Sequence, residues 1–195
     1  QALVSGNILM GATTFFNRYD DLIVSVGQSF KNTSQFRTDN LSNSRASGIE
    51  LAVSGRTTRG FEARATYTWM HTEVLELDAT FGQAPGPFTV GDPLLRRPRH
   101  QGALEVSYIE PRFSAFTSIG TRSRTLDVDP SLGAFGGLFN NPGYGLVNAG
   151  GSVRTWTRLE FVVRVQNLLD RNYEEVLGFP GLGRSFIAGI RVATC

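Results

Sequence analysis

Short and long connections alternate along this chain, and few folds can accommodate that pattern. Short turns are expected at 18–20 (Arg18-Tyr19-Asp20), 57–59 (Thr57-Thr58-Arg59), 110–111 (Glu110-Pro111) and 155–157 (Thr155-Trp156-Thr157). Long loops are expected at 30–42, 76–99, 126–143 and 169–183. In a meander of antiparallel strands, successive connections lie at opposite ends of the sheet. Strict alternation therefore gathers every short turn at one end and every long loop at the other. A soluble sandwich has no reason to sort its loops this way, whereas a membrane-spanning barrel does.

The segments between these connections read with period 2. In 60–73 the odd positions are Phe61, Ala63, Ala65, Tyr67 and Trp69, against Glu62, Arg64, Thr66 and Thr68. In 100–108 His100, Gly102, Leu104, Val106 and Tyr108 oppose Gln101, Ala103, Glu105 and Ser107. In 158–166 Leu159, Phe161, Val163 and Val165 oppose Arg158, Glu160, Arg164 and Gln166, and in 185–192 Phe186, Ala188, Ile190 and Val192 oppose Ser185, Gly189 and Arg191. Ile49, Leu51 and Val53 face away from Glu50 and Ser54 in the same manner. Side chains alternate between the two faces of a strand, so each segment has one apolar and one polar face. In 7–17, Ile8, Met10, Ala12 and Phe16 mark one face while Leu9 and Phe15 interrupt the other. About nine strands are expected, near 6–17, 21–29, 43–56, 60–75, 100–109, 112–125, 144–154, 158–168 and 184–194. A tilted strand needs roughly nine to eleven residues to cross a bilayer, a length that these supply.

Periodicity alone does not say which face meets lipid. The polar face carries charges of both signs, among them Glu50, Glu62, Arg64, Glu105, Arg122, Arg124, Glu160, Arg164 and Arg191, which suits a wide hydrated lumen. Aromatics near strand ends (Trp69, Tyr108, Phe113, Phe186) suit the two membrane interfaces. Composition agrees. The chain holds 22 Gly in 195 residues, above the roughly 7% of average usage, and 18% charged residues against about 25%. The expected fold is thus all-β, an antiparallel meander forming part of a transmembrane β-barrel over residues 1–195. In lipid an open sheet edge leaves unpaired backbone groups at several kcal/mol each. The odd strand count therefore calls for further strands from upstream sequence. The opening Gln1-Ala2-Leu3-Val4-Ser5 has neither a start Met nor a basic leader and reads as a continuation of such sequence.

Several function classes fall away. A net charge of +2, with basic residues scattered singly, gives no nucleic-acid footprint. The one local cluster, Arg96, Arg97, Arg99 and His100 around Pro98, reads as a basic loop at a membrane surface. Cys195, the single cysteine, offers no intrachain disulfide and has no paired His and Asp. His71 and His100 lack metal-ligand spacing, and no nucleophile elbow or carboxylate pair points to an enzyme. No metal or other cofactor is expected.

Specific motifs then join the pattern. Phe15 to Ile23, Asn43 to Glu50 (ending Ala46-Ser47-Gly48-Ile49-Glu50) and Leu94 to His100 resemble, in order, three segments of TonB-dependent receptor barrels. Val165-Gln166-Asn167-Leu168-Leu169-Asp170-Arg171-Asn172-Tyr173 resembles that family's "NLfD..Y" stretch, and Gly178 to Arg184 its following "pGR" stretch. Apart from the resemblance, Asn167 and Asp170 can hydrogen-bond local backbone where a strand leaves the membrane, and Gly181 and Gly183 permit a tight re-entry. The resemblance implies the bacterial outer membrane, strands 14 to 22 of a 22-stranded barrel, and no bond chemistry. Its implied partners are membrane lipid, an amino-terminal plug and further strands outside this chain, TonB, and a transported ligand, most commonly a siderophore–iron complex. Family barrels finish on an aromatic residue, and Val192-Ala193-Thr194-Cys195 departs from that. Ligand contacts are expected in the long loops, at Phe81, Phe88, Arg97, Phe135, Phe139 and Phe179; packing between loops would also use these aromatics. Two other readings are a passive outer-membrane channel or structural barrel, and a soluble all-β ligand-binding module.

Overall fold

The computed structural model describes residues 2–5, 7–30, 33–77, 88–129, 133–156 and 158–192. Every regular element among them is a strand: β1 (Ala2–Ser5), β2 (Ile8–Phe30), β3 (Thr33–Arg56), β4 (Phe61–Glu76), β5 (His100–Ile109), β6 (Phe113–Arg122), β7 (Thr125–Asp129), β8 (Gly133–Asn141), β9 (Tyr144–Trp156), β10 (Leu159–Gln166), β11 (Glu174–Val176), β12 (Phe179–Pro180) and β13 (Ser185–Val192). Nine of them form one antiparallel sheet in the order β1-β2-β3-β4-β5-β6-β9-β10-β13. The hairpins β7-β8 and β11-β12 lie within two of the long loops. Among the described residues β1 and β13 are the two edges, so the sheet is open.

Register carries the alternation from strand to strand. Thr14, Ile49, Trp69 and His100 fall in one row, because Thr14 pairs with Ile49, Ile49 with Trp69 and Trp69 with His100. Farther along, Phe113 pairs with Val153, Val153 with Phe161, and Phe161 with Ile190. These rows build an apolar face that no second layer covers. Phe161 is 45% exposed and Val163 53%, and neither packs into a soluble core. Among the described residues the buried hydrophobics are only Ala46, Val74, Phe88, Leu94 and Val128, the last four in one small cluster beyond the ends of the central strands. A nine-stranded sheet with so little beneath it cannot be a soluble sandwich, whose inner faces interdigitate. Lipid is the medium this face requires.

Aromatic rings border the apolar face at two levels. Near the short turns, Tyr108 contacts Phe61 with centroids 4.5 Å apart and Phe113 at 6.3 Å. Near the long loops Tyr67 stacks on His100 at 6.2 Å, with Trp69 in the row above. From Phe61 to Trp69 is eight residues, about 27 Å along a strand at roughly 3.4 Å per residue. A tilt of about 40° reduces that to roughly 20 Å, close to the apolar band of a transmembrane barrel.

The opposite face is polar and internally bonded. Ser114 Oγ lies 2.9 Å from Ser152 Oγ, Ser152 donates to Glu160 Oε1 at 2.6 Å, and Arg191 donates to Glu160 Oε2 at 2.8 Å. Two aromatics on this face cover glycines. A side chain at Gly48 would strike the Phe15 ring and the Trp69 carbonyl, and one at Gly150 would strike Phe116. Phe15 interrupts the polar pattern of its strand because it covers Gly48, its cross-strand partner.

Two sequence expectations are corrected. Residues 18–20 do not turn; Arg18, Tyr19 and Asp20 pair with Arg45, Ser44 and Asn43 within β2 and β3. The first reversal lies instead between Ser5 and Ile8. Asp21 supplies the turn-like chemistry, taking φ 58°, but it only kinks the strand. Beyond the kink Leu22, which unbroken alternation would point outward, packs on the inner cluster of Val74, Phe88, Leu94 and Val128. The ladder keeps its register across the kink, with Asp20 opposite Asn43 and Leu22 opposite Leu41. The expected loop 30–42 is mostly ladder, since pairing continues to Phe30–Thr33. Twenty-three residues in β2 exceed what a bilayer needs, so this excursion projects as a hairpin. The expected strands 6–17 and 21–29 are thus one, β2, and the sheet still holds nine strands because β1 is added at its edge.

Candidate functional site

The long connections converge at one end of the sheet and tie to one another there. The centre of this cap is Asp127 on β7, whose side chain is fully buried. Arg96, from the segment before β5, donates from Nε to Asp127 Oδ1 at 2.8 Å, and its own N–H donates to the Leu126 carbonyl at 2.8 Å. The Leu177 N–H, from the loop after β10, donates to Asp127 Oδ2 at 2.9 Å, and the Val128 N–H donates to Oδ1 at 2.9 Å. One carboxylate thus joins three loops. Burial alone would raise its pKa, but the Leu177 and Val128 N–H groups and the Arg96 guanidinium outweigh burial and hold it below its ordinary value of 3.8.

Beside this ionic tie, Arg122 at the end of β6 donates from Nη2 to the carbonyls of Glu174 (2.8 Å) and Glu175 (3.0 Å). Asn141 Nδ2 reaches the same two carbonyls at 3.2 and 3.4 Å. The Arg122 guanidinium also lies 4.6 Å from the centre of the Tyr144 ring, which packs on Tyr173 at 4.6 Å. Gly181 lies directly against the Tyr173 ring, with no room for a Cβ. Tyr144, Tyr173, Arg171, Glu174 and Pro180 line a hollow at this docked loop.

The loop after β10 is closed by its own side chains. Asn167 is buried with φ 48°; its Nδ2 donates to the carbonyls of Arg171 (2.9 Å) and Leu182 (3.0 Å), and its Oδ1 accepts from the Arg171 N–H at 2.8 Å. Asp170, with φ 52°, accepts from the Arg184 N–H at 2.8 Å, closing the loop onto β13. The local backbone bonding expected of Asn167 and Asp170 is present. Replacing Asn167 with alanine removes three hydrogen bonds and a residue type that tolerates a left-handed backbone. We expect loop 167–184 to lose about 2–3 kcal/mol of local stability, seen as faster proteolytic nicking between 170 and 184 with β-content unchanged.

The expected ligand-binding residues are dispersed over the cap. Phe88 is buried with Val74, Leu94 and Val128 and supports the loops from beneath. Phe139 on β8 and Phe179 on β12 are 41% and 60% exposed, on neighbouring hairpins. Phe135 belongs to β8, and Phe81 lies outside the described residues. Arg97 is exposed and lines a separate hollow with Arg99, Arg124, His71 and His100. The two histidines have different partners: His71 bonds Glu73 at 3.4 Å, and His100 bonds Tyr67 at 2.7 Å. Sequence reasoning passed over Asp127 and Asn141, and read Arg96 only as part of a basic surface loop and Arg122 only as a charge on the polar face.

Comparison with known proteins adds to this geometry. The family model "TonB dependent receptor-like, beta-barrel" matches residues 3–168. No curated protein matches. Among solved structures, the siderophore receptor PiuA from Acinetobacter baumannii is similar at a TM-score of 0.73 and 16% identity, over 97% of this chain and 26% of that one. The copper transporter OprC is similar at 0.73 and 18% identity, over 98% and 30%. The ferric-catecholate import receptor Fiu from K12 E. coli is similar at 0.70 and 19% identity, over 97% and 26%. The chain thus spans less than a third of the length of these three structures.

Proposed function

We infer that this chain, which belongs to the TonB-dependent receptor β-barrel family, forms wall and outer mouth of a receptor that imports a scarce nutrient with energy delivered through TonB. Such barrels lie in the outer membrane of Gram-negative bacteria, which is the medium its bare apolar face requires. The remaining strands and a plug come from sequence outside these residues; the open edges at β1 and β13 support this, because an unpaired edge is not stable in lipid. The family match over 3–168 is the observation that carries the reading.

The proposed cargo is a siderophore–iron complex. Siderophore receptors are among the most similar solved structures, and the cap presents Phe139 and Phe179 to solvent on adjacent hairpins, where flat rings suit an amphipathic chelate. Phe88 positions the loops and makes no ligand contact in this reading. Import breaks and forms no covalent bond in the cargo, so no residue is assigned a catalytic role.

The test uses cells that express the complete reading frame containing this chain and lack their own siderophore receptors. Uptake of radiolabelled ferric siderophore should saturate with concentration and vanish when TonB is deleted. Equal, unsaturable uptake with and without TonB would mean a passive channel instead. TonB-dependent uptake of copper, but not of ferric chelates, would keep the receptor and replace the cargo.

A further inference from the structure

The hollow of Arg97, Arg99 and Arg124 lies at the rim of the sheet, where β5 begins and β6 ends. Register places its floor on the polar inner face. Met70 and Thr72, both in the lining, pair with Gly48 and Ala46, and Gly48 pairs with Phe15 on that face. The Met70 N–H donates to the Arg99 carbonyl at 2.9 Å, which carries the β4–β5 ladder one residue past His100. Arg124 stands two residues beyond Arg122, which pairs with Gln101 on the inner face. The hollow measures about 360 Å³, at the small end of ligand pockets, and its three arginines are exposed.

Charge is unbalanced in this hollow. His71 is already satisfied, because its Nε2 bonds Glu73 and its Nδ1 bonds Arg99, both at 3.4 Å. Glu73 holds Arg45 at 2.8 Å, so its charge is matched there, and Asp127 holds Arg96. Asp92 stands between the lining residues Gly91 and Pro93, and its carboxylate accepts from the Thr89 N–H and hydroxyl at 2.6 and 3.0 Å. Among the described residues Arg97 and Arg124 have no carboxylate partner. Three guanidiniums against the one carboxylate of Asp92 leave an excess of two positive charges. Mutual repulsion makes such a cluster costly until an anion enters it. Donors are in excess as well. Thr125, also in the lining, is 2% exposed and its hydroxyl has no partner among the described residues, and Asn140 adds an exposed amide.

The size of that excess decides which anion. A carboxylate brings one negative charge and two oxygens, whereas a phosphate brings up to two charges and three or more oxygens for forked guanidinium donors. We propose that Arg97, Arg99 and Arg124 form an oxyanion site at the inner rim of the mouth, matched to the dianionic phosphate group of a small solute. Asn140 and the Thr125 hydroxyl are its further donors. Free phosphate and a phosphate monoester present the same group, and the test separates them. The site is distinct from the hollow of Tyr144 and Tyr173 and from the exposed rings of Phe139 and Phe179. It rests on neither the cargo nor TonB.

The test is calorimetric titration of the complete receptor, purified in detergent, with inorganic phosphate, glycerol phosphate and acetate. Near neutral pH at least one of the two phosphates should bind about tenfold tighter than acetate or better. Arg124→Gln should weaken that binding about tenfold, the loss of one charge-assisted hydrogen bond, and Arg97→Gln with Arg124→Gln about a hundredfold. Neither side chain has a carboxylate partner among the described residues, so both variants should keep the wild-type melting temperature. Arg154→Gln, near the short turns, should bind as wild type does. A phosphate monoester takes up its second proton near pH 6, so at about pH 5 glycerol phosphate should bind severalfold more weakly. Tighter binding of glycerol phosphate would assign the site to an ester-bearing solute, and tighter binding of inorganic phosphate to the free ion. Acetate that binds as tightly as phosphate, wild-type affinity in the double variant, or phosphate binding that never saturates would overturn the proposal. None of these readouts involves uptake, so they stand or fall apart from the cargo assignment.

Discussion

Val163→Arg should nearly abolish correctly inserted protein, whereas Val162→Arg, one residue away, should be tolerated. Val163 is 53% exposed and pairs with Gly151 and Ala188, in the middle of the apolar face. Its neighbour Val162 pairs with Ser152 and Gly189 on the polar face, between Glu160 and Arg164. Arginine near the centre of a lipid-facing strand costs about 2–4 kcal/mol, while a hydrated lumen accepts it at little cost. The comparison is made on the complete receptor by the fraction that resists urea extraction from outer membranes and migrates as folded barrel on unheated gels. Equal behaviour of the two variants would mean that the two faces do not differ in medium, and the membrane assignment of the sheet would fall.

Asp127→Ala has the second large effect, confined to the cap. The substitution leaves the Arg96 guanidinium and the Leu177 and Val128 N–H groups without their shared acceptor. Leaving two N–H groups of the cap and a half-exposed guanidinium without their acceptor costs roughly 2–3 kcal/mol. Amide exchange at Leu177, Val128 and Arg96 should accelerate together by about a hundredfold, with the membrane strands unaffected. The pH dependence has the same origin and a definite sign. The folded pKa lies below the ordinary 3.8, so this contribution is fully present above the ordinary value and is lost as pH falls through the lowered one. Cap protection factors, the exchange rates corrected for the intrinsic pH dependence of amide exchange, that stay flat from neutral pH down to about 4 and fall below it would agree. A fall already at pH 6 would implicate another group.

How far the fold could be read from the sequence depended on whether two media met at a strand. In 60–73 and 158–166 one face meets lipid and the other water, so Phe61 to Trp69 and Leu159 to Val165 alternate visibly. Beyond the membrane both faces are wet, and nothing enforces alternation. Residues 33–42, polar at both parities, look like a loop yet continue the β2–β3 ladder, because backbone pairing needs no apolar face. Arg18-Tyr19-Asp20-Asp21 misleads for a related reason: its composition suits a turn, and the chain uses it for a left-handed kink at Asp21 instead.

The cap divides along similar lines. Asn167 could be read because its partner Arg171 is four residues away, within the range of local turn chemistry. Asp127 could not, since Arg96 and Leu177 are 31 and 50 residues distant and only the order of strands in the sheet brings them together. Phe88 shows the same limit: an aromatic in a long loop suits ligand contact and loop packing equally well by sequence, and the structure places it among Val74, Leu94 and Val128.

Three loops that share one carboxylate do not fluctuate as three separate flaps. A molecule that draws the Leu177 segment away from Asp127 also weakens the hold on Arg96, and one that displaces the Arg96 segment loosens Leu177 by the same free energy, since such linkage is reciprocal. A molecule that engages one loop is therefore felt at the others, and loop variants isolated one at a time should show non-additive effects. The mouth of this barrel behaves thermodynamically as one keyed lock, with its pin at Asp127.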